Sequence, residues 1–228
     1  MCDRDVRMHA NKLFEFSDLP AVAASPRFHS LKNFVDRLTD QGIACTTRGT
    51  LQSTNLNDPT TWYRHTLHYL RAWEYVRILE VLAIPQHAAV LDVGGAATPF
   101  LFYLAEELSC RIVTVDLQQE LVEHTRCIAE RRGWDITACC GNIADFTAGM
   151  KFDFAISVSV FEHMPAPVKQ KAISVMAHGL KEGGLIGLSF DFGQLEKHQA
   201  NASGATYAPF KSWQEISASV IAPSGCTL

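Results

Sequence analysis

The stretch VLDVGGAATPF, Val90–Phe100, decides how this sequence reads. An apolar run ends in the acidic Asp92, passes through Gly94, Gly95, Ala96 and Ala97, and reaches Thr98 just before Pro99. Small residues at a strand-to-helix turn let the backbone approach a ligand closely, and the N–H groups that open a helix can hydrogen-bond it. Thr98 suits the cap of that helix and Pro99 its first position. Asp92 can accept hydrogen bonds from a ligand's ammonium group or organise the loop. Small residues also serve plain helix–sheet packing, and G-x-G-x-x-G is absent, so the turn has to be read with the rest of the chain.

Outward from this turn the chain alternates. The strand AVLDV leads to a helix from Pro99 to Ser109, the strand RIVTVDL, the helix QELVEHTRCIAERR stopped at Gly133, and the strand ITACC. The strand FDFAISVSV follows, then a helix from about Pro167 to Leu180, the turn KEGG and the strand LIGLSFDF. Strands that are apolar almost throughout and alternate with helices predict an α/β fold with a doubly wound, mostly parallel sheet covered on both faces. Its ligand site lies beyond the carboxyl ends of the strands. Upstream, Leu31, Phe34, Val35 and Leu38 have helical spacing with Gly42 as a stop. Asp58 and Pro59 can open a long helix that carries Trp73, Val76 and Leu79 inward. The expected organisation is an N-terminal helical extension or lid over residues 1–84 and a Rossmann-like domain over residues 85–228. In the latter, Ser212 and Glu215 form a capping box for the helix WQEISASVI.

Composition narrows the function. A net charge of −4 provides no basic field for phosphate backbones or acidic membranes. Seven cysteines without C-x-x-C spacing indicate neither a disulfide framework nor a zinc site, and no metal is expected. The start MCDRDVRMHANK lacks an apolar signal region and no segment reaches the length of a membrane span, so a soluble cytoplasmic protein is expected.

Three further elements carry chemistry. Asp116 ends RIVTVD about 20 residues beyond Gly94, where an acid at the tip of the next strand takes the hydroxyls of a ribose. Asn142 in CCGNIADF offers an acceptor and donors to a base edge, or an Asx turn for the next helix. Glu162 and His163 follow the strand that contains Ser157 and Ser159. They can bind substrate or move a proton, or else serve as a helix-start acid and a surface imidazole.

Together VLDVGGAATPF, IVTVDL, CCGNIADF, FDFAISVSVFEHM and LKEGGLIGLSF, in this order across residues 88–192, resemble the class I S-adenosylmethionine-dependent methyltransferases of small-molecule type. The resemblance implies S-adenosyl-L-methionine as cofactor and S-adenosyl-L-homocysteine as product. It puts Asp92, Gly94, Gly95 and Ala96 around the methionine part, Asp116 on the ribose, Leu117 against the adenine, Asn142 and Ile143 at the adenine edge, and Ser157 near the methionine backbone. His163 is the candidate general base with Glu162 second. Arg71 is a partner for the methionine carboxylate, and Trp62, Tyr63, His65 and His68 are placed near the acceptor.

The sequence departs from the family in two places. Ala96 and Thr98 stand at the second and third glycine positions, and alanine tolerates a left-handed backbone poorly. After Phe192 only residues 193–228 remain, so the family's closing antiparallel hairpin is expected to be lost or to lie in a longer chain. An uncovered sheet edge invites a second chain, which makes a homodimer an expected assembly. The acceptor is expected to be a small molecule rather than nucleic acid, because SVSVFEH lacks the Asn/Asp-Pro-Pro-aromatic signature of base amino-methyltransferases and no Pro-Cys nucleophile occurs. Two alternatives stand beside methyl transfer: an NAD(P)-dependent oxidoreductase, which also pairs a glycine turn with a downstream acid, and a non-catalytic methyltransferase-like binding or assembly domain.

Overall fold

Val90, Leu91 and Val93 are all buried at 2% exposure or less. Neighbouring side chains of a strand point to opposite sides, so only a strand covered on both faces achieves this. The computed structural model describes residues 18–46, 69–193 and 209–226 and places this strand, β1 (Ala89–Val93), at the centre of a five-stranded sheet. β2 (Arg111–Asp116) and β4 (Phe152–Val158) flank it, with β3 (Ile136–Cys140) outside β2 and β5 (Leu180–Ser189) outside β4. All four pairings are parallel, so every strand points its carboxyl end to the same edge.

Two apolar layers cover the sheet. On one face, Val90, Ile112, Phe154 and Ile156 meet α2 (Pro26–Asp40), α3 (Tyr69–Leu82) and α4 (Pro99–Glu106). The four positions Leu31, Phe34, Val35 and Leu38 form the buried stripe of α2, and burying each contributes about 1.5–3 kcal/mol over leaving it in water. Tyr75 of α3 stacks on Phe100 of α4 at 4.6 Å. On the other face, Leu91, Val93, Phe152 and Ala155 meet Ala172, Ile173 and Met176 of α6 (Ala166–Gly179) and Ile216 and Val220 of the C-terminal helix. Between α4 and α6 in sequence, α5 (Gln119–Arg132) packs Leu121 and Val122 on Ala96, Ala97 and Ala138. A short α1 (Leu19–Ala24) precedes α2.

The punctuation follows the residues. Thr98 caps α4 through its Oγ1, which accepts the Leu101 N–H at 3.2 Å, and Gly133 ends α5 at φ 66. Three details differ from the sequence reading. α4 stops at Glu106 rather than Ser109, which itself turns left-handed at φ 50. KEGG is no plain turn: Leu180 already pairs with Phe152, Lys181–Gly184 bulge out of register, and pairing resumes at Phe154 with Leu185. The C-terminal helix is longer than expected, running from Trp213–Ile216 through a π-helical turn, Ser217–Ile221, to Ala222–Ser224. Ser212 caps it, but Glu215 accepts from Lys211 N–H instead of closing the box on Ser212. Among the described residues no antiparallel hairpin follows β5, and no helix is long and apolar enough to cross a membrane.

Candidate functional site

The turn after β1 is closed tightly from within. Gly94 is left-handed at φ 74, and a Cβ there would lie 2.7 Å from a methyl of Val160; one on Gly95 would lie 2.7 Å from Asp92 Cγ. Both glycines are therefore required by the loop's own packing. Asp92 is buried, accepting from Thr114 Oγ1 at 2.5 Å and from the Gly95 N–H. Burial pushes its carboxyl up to about 7 against these hydrogen bonds, with nearby Asp116 adding to the rise. Of the two roles open to Asp92, the structure has it organise the loop. The left-handed alanine is Ala97, at φ 60, not Ala96, and its N–H donates to Thr125 Oγ1 at 2.8 Å. The strain expected at Ala96 thus falls one residue on, where α5 supplies a hydroxyl to hold it.

Asp116 ends β2 beside this turn. Its Oδ1 accepts the Gln118 N–H at 2.9 Å, and the carboxylate also takes N–H groups of Ala96 and Leu117. Burial raises its pKa against those bonds. Leu117 next to it is 72% exposed, an unusual position for a large apolar side chain. Gly141 at the end of β3 has open space where a side chain would stand. Asn142 takes the Asx role, its Oδ1 capping Ala144 N–H at 2.9 Å, and Ile143 is buried against the sheet. Ser157 is fully buried and donates to Val93 O at 2.9 Å, tying β4 to β1.

Glu162 and His163 lie in the single 3-10 turn Phe161–His163 that follows β4. Glu162 is 1% exposed and its Oε2 has no hydrogen-bond partner among the described residues. Burial pushes its carboxyl up to about 8, with Asp191 and Glu74 adding and Arg71 opposing. His163 is shifted the other way, burial lowering it below an ordinary imidazole despite Asp191. A carboxyl that keeps its proton and an imidazole that stays neutral therefore sit side by side near neutral pH.

Glu74 is a site residue that the sequence reading missed. It is buried in α3, where its Oε1 accepts hydroxyls from Ser159 at 2.5 Å and Ser189 at 2.8 Å, and its Oε2 accepts from Arg71 at 2.5 Å. Arg71 is thus held by Glu74 from its own helix. The three-residue spacing of Arg71 and Glu74 was the signal available in the sequence. Lys169 of α6 was also overlooked: buried, it places its Nζ 4.1 Å from the centre of the Phe210 ring and lies near Glu162. The N-terminal part also reaches the first turn through Thr46, whose N–H donates to Ala97 O at 2.8 Å. Trp62, Tyr63, His65 and His68 lie outside the described residues.

The structure therefore collects the glycine turn, Asp116, Leu117, Glu74, Glu162 and His163 at one edge of the sheet. Residues 90–184 match the family model of a methyltransferase domain. This segment is thus identified as a methyltransferase domain. Among solved structures, the (4+2)-cyclase SpnF is similar to it at a TM-score of 0.55 and 16% identity, over 86% of this chain and 68% of that one. The YcgJ protein from Bacillus subtilis gives 0.54 at 18% identity, over 64% and 67%. An S-adenosylmethionine-dependent methyltransferase from Clostridium acetobutylicum ATCC 824 gives 0.44 at 13% identity, over 76% and 54%. At these identities the likeness is one of fold. No curated protein matches the methyltransferase in sequence.

Proposed function

We propose that this methyltransferase carries the methyl group of S-adenosylmethionine to a small-molecule acceptor at the carboxyl edge of its sheet. The observation that carries the reading is the meeting of the Gly94–Gly95 turn, the exposed Leu117 beside Asp116, and the Glu162–His163 turn at that edge. The adenosine half of the cofactor fits the residues present. Leu117 offers an exposed apolar surface, Gly141 has open space where a side chain would stand, and Asp116 would take the ribose hydroxyls. The methionine half would rest on the backbone of the first turn, because Asp92 and Ser157 already hold protein partners.

When bound, the cofactor supplies a methyl group made electrophilic by its sulfonium, open to in-line attack. The protein's own share is alignment and the handling of a proton. His163, neutral near pH 7 because burial opposes its charge, is the group that takes a proton from the acceptor. Glu162 keeps its own proton at that pH and is the donor beside it. Arg71 has its charge balanced by Glu74. A small acceptor fits a net charge of −4, which would repel a nucleic-acid backbone. The free thiols Cys45, Cys110, Cys127, Cys139, Cys140 and Cys226 suit the reducing cytoplasm.

Calorimetric titration with S-adenosylmethionine, S-adenosylhomocysteine and NADH, repeated on Asp116→Ala, tests the reading. Both sulfur nucleosides are expected to bind the native chain and to bind the variant at least about tenfold more weakly, the cost of about one charge-assisted hydrogen bond. Binding of NADH alone would turn the assignment to an oxidoreductase, and a folded protein that binds none of the three would refute it.

A further inference from the structure

We propose that Glu74 is a positioning residue of the methyl-transfer site, clamping the carboxyl ends of β4 and β5 from the N-terminal helix and thereby setting both the cofactor turn and the Glu162–His163 turn. The inference rests on the methyl-transfer reading for its functional meaning. Its geometry stands on the contacts around one carboxylate. Ser159 directly follows β4 and Ser189 ends the adjacent β5, and both hydroxyls donate to Glu74 Oε1, at 2.5 and 2.8 Å. The same two residues are joined by Ser159 N–H to Ser189 O at 2.9 Å. Arg71 holds the second oxygen of Glu74, so the carboxylate has one fixed orientation.

What this clamp holds is a strained residue. Ser159 is left-handed at φ 51, a conformation that a serine adopts only when its surroundings impose it. From there the chain diverges to both halves of the site. Val160 directly follows, and its methyl groups lie over Gly94, where even a Cβ would meet them at 2.7 Å. The carbonyl of Val160 accepts the His163 N–H at 2.9 Å, which closes the turn bearing Glu162 and His163. If Ser159 relaxed to an ordinary backbone, Val160 would move off Gly94 and the His163 turn would swing with it. One side chain on α3 thus governs the two loops that follow β1 and β4. Glu74 touches no reacting atom and acts through Ser159.

Glycine reaches φ 51 without a clamp, which makes rescue a specific test. Four proteins are compared, all as the full chain: native, Glu74→Gln, Glu74→Ala and the double variant Glu74→Ala with Ser159→Gly. S-adenosylhomocysteine affinity is measured by calorimetry, and folding by circular dichroism. Glu74→Ala is expected to bind at least about tenfold more weakly, as misplacement of a site by an ångström costs up to about a hundredfold. The double variant should recover most of that loss. An unchanged affinity in a folded Glu74→Ala, or a double variant no better than the single, overturns the proposal.

A second readout does not need the cofactor. Glu162 is faced by Glu74 and Arg71 from α3, by Asp191 beyond β5, by Lys169 from α6 and by His163 in its own turn. In Glu74→Gln one negative neighbour is gone and Arg71 loses its closest counter-charge, so the Glu162 carboxyl, followed by carbon NMR, should titrate at lower pH than in the native chain. An unmoved titration overturns the electrostatic link between Glu74 and this turn. If the native folded chain binds no S-adenosylhomocysteine, the methyl-transfer reading fails by itself, and the titration still decides whether Glu74 and Glu162 are joined.

Discussion

Replacing Glu162 by Gln isolates the electrostatics of the Glu162–His163 turn. Burial moves this carboxyl from an ordinary 4.5 to about 8. Between those two values the folded protein keeps a proton that the unfolded chain has released, so stability falls as pH rises through the window. Each pH unit costs about 1.4 kcal/mol for one fully linked group, and the whole window sums to on the order of 5 kcal/mol as an upper limit. Below the unfolded value the contribution is fully present, and above the folded value the loss is complete. Gln keeps the shape and cannot ionise. Its amide carries two N–H donors where the protonated carboxyl has one O–H, which adds an offset independent of pH. Asp92, raised to about 7, gives a slope of the same sign but is present in both proteins. Urea unfolding of native and Glu162→Gln protein from about pH 5 to about pH 8.5 should therefore show the variant gaining on the native chain as pH rises, by a few kcal/mol at most. A stability difference that stays constant across that range would refute the buried, proton-holding Glu162.

The first turn and the exposed Leu117 make separate demands. Gly95→Ala sets a methyl 2.7 Å from Asp92 Cγ and must push that carboxylate off Thr114; unfolding free energy should drop by about 2 kcal/mol or more, and a variant as stable as the native chain would show that the loop is not closed by Asp92. Thr98→Ala removes the cap on Leu101 N–H and the bond from Thr98 Oγ1 to Gly95 O at 2.8 Å. It should lower the melting temperature by roughly 2–4 °C, the equivalent of about 1 kcal/mol in a chain of this size. Leu117→Ala, at a side chain 72% exposed, should leave the melting temperature unchanged and weaken S-adenosylhomocysteine by calorimetry; equal affinity would remove Leu117 from the cofactor surface.

Much of this architecture was written locally. The bounds of β1, β3 and α5 agree with the sequence reading because apolar runs, a period of 3.6 and Gly133 act within a few residues of where they are seen. The acidic tips Asp92 and Asp116 were visible for the same reason. What escaped depends on residues far apart in sequence. Glu74 meets Ser159 and Ser189 across 85 and 115 positions, and no spacing rule marks a glutamate on an apolar helix for that task. The left-handed position fell on Ala97 instead of Ala96 because Thr125, brought in by α5, holds that N–H. The bulge at Lys181–Gly184 arises from pairing with β4, which KEGG does not reveal by itself. Nor could residue types alone tell that Asn142 would spend its oxygen on Ala144 N–H.

The strand order also sets a clock. β1 pairs early in the chain with β2, but its other side waits for β4, whose Ser157 hydroxyl reaches Val93 O across 64 residues. While the polypeptide is being made, Val90, Leu91 and Val93 therefore have one open flank until residue 158 has emerged and folded back. Such distant pairing is slow, since the loop must close before the contacts reward it. A strand buried at all five of its positions is thus left with an open flank at birth, so the nascent chain depends at that moment on dilution or chaperones to escape aggregation.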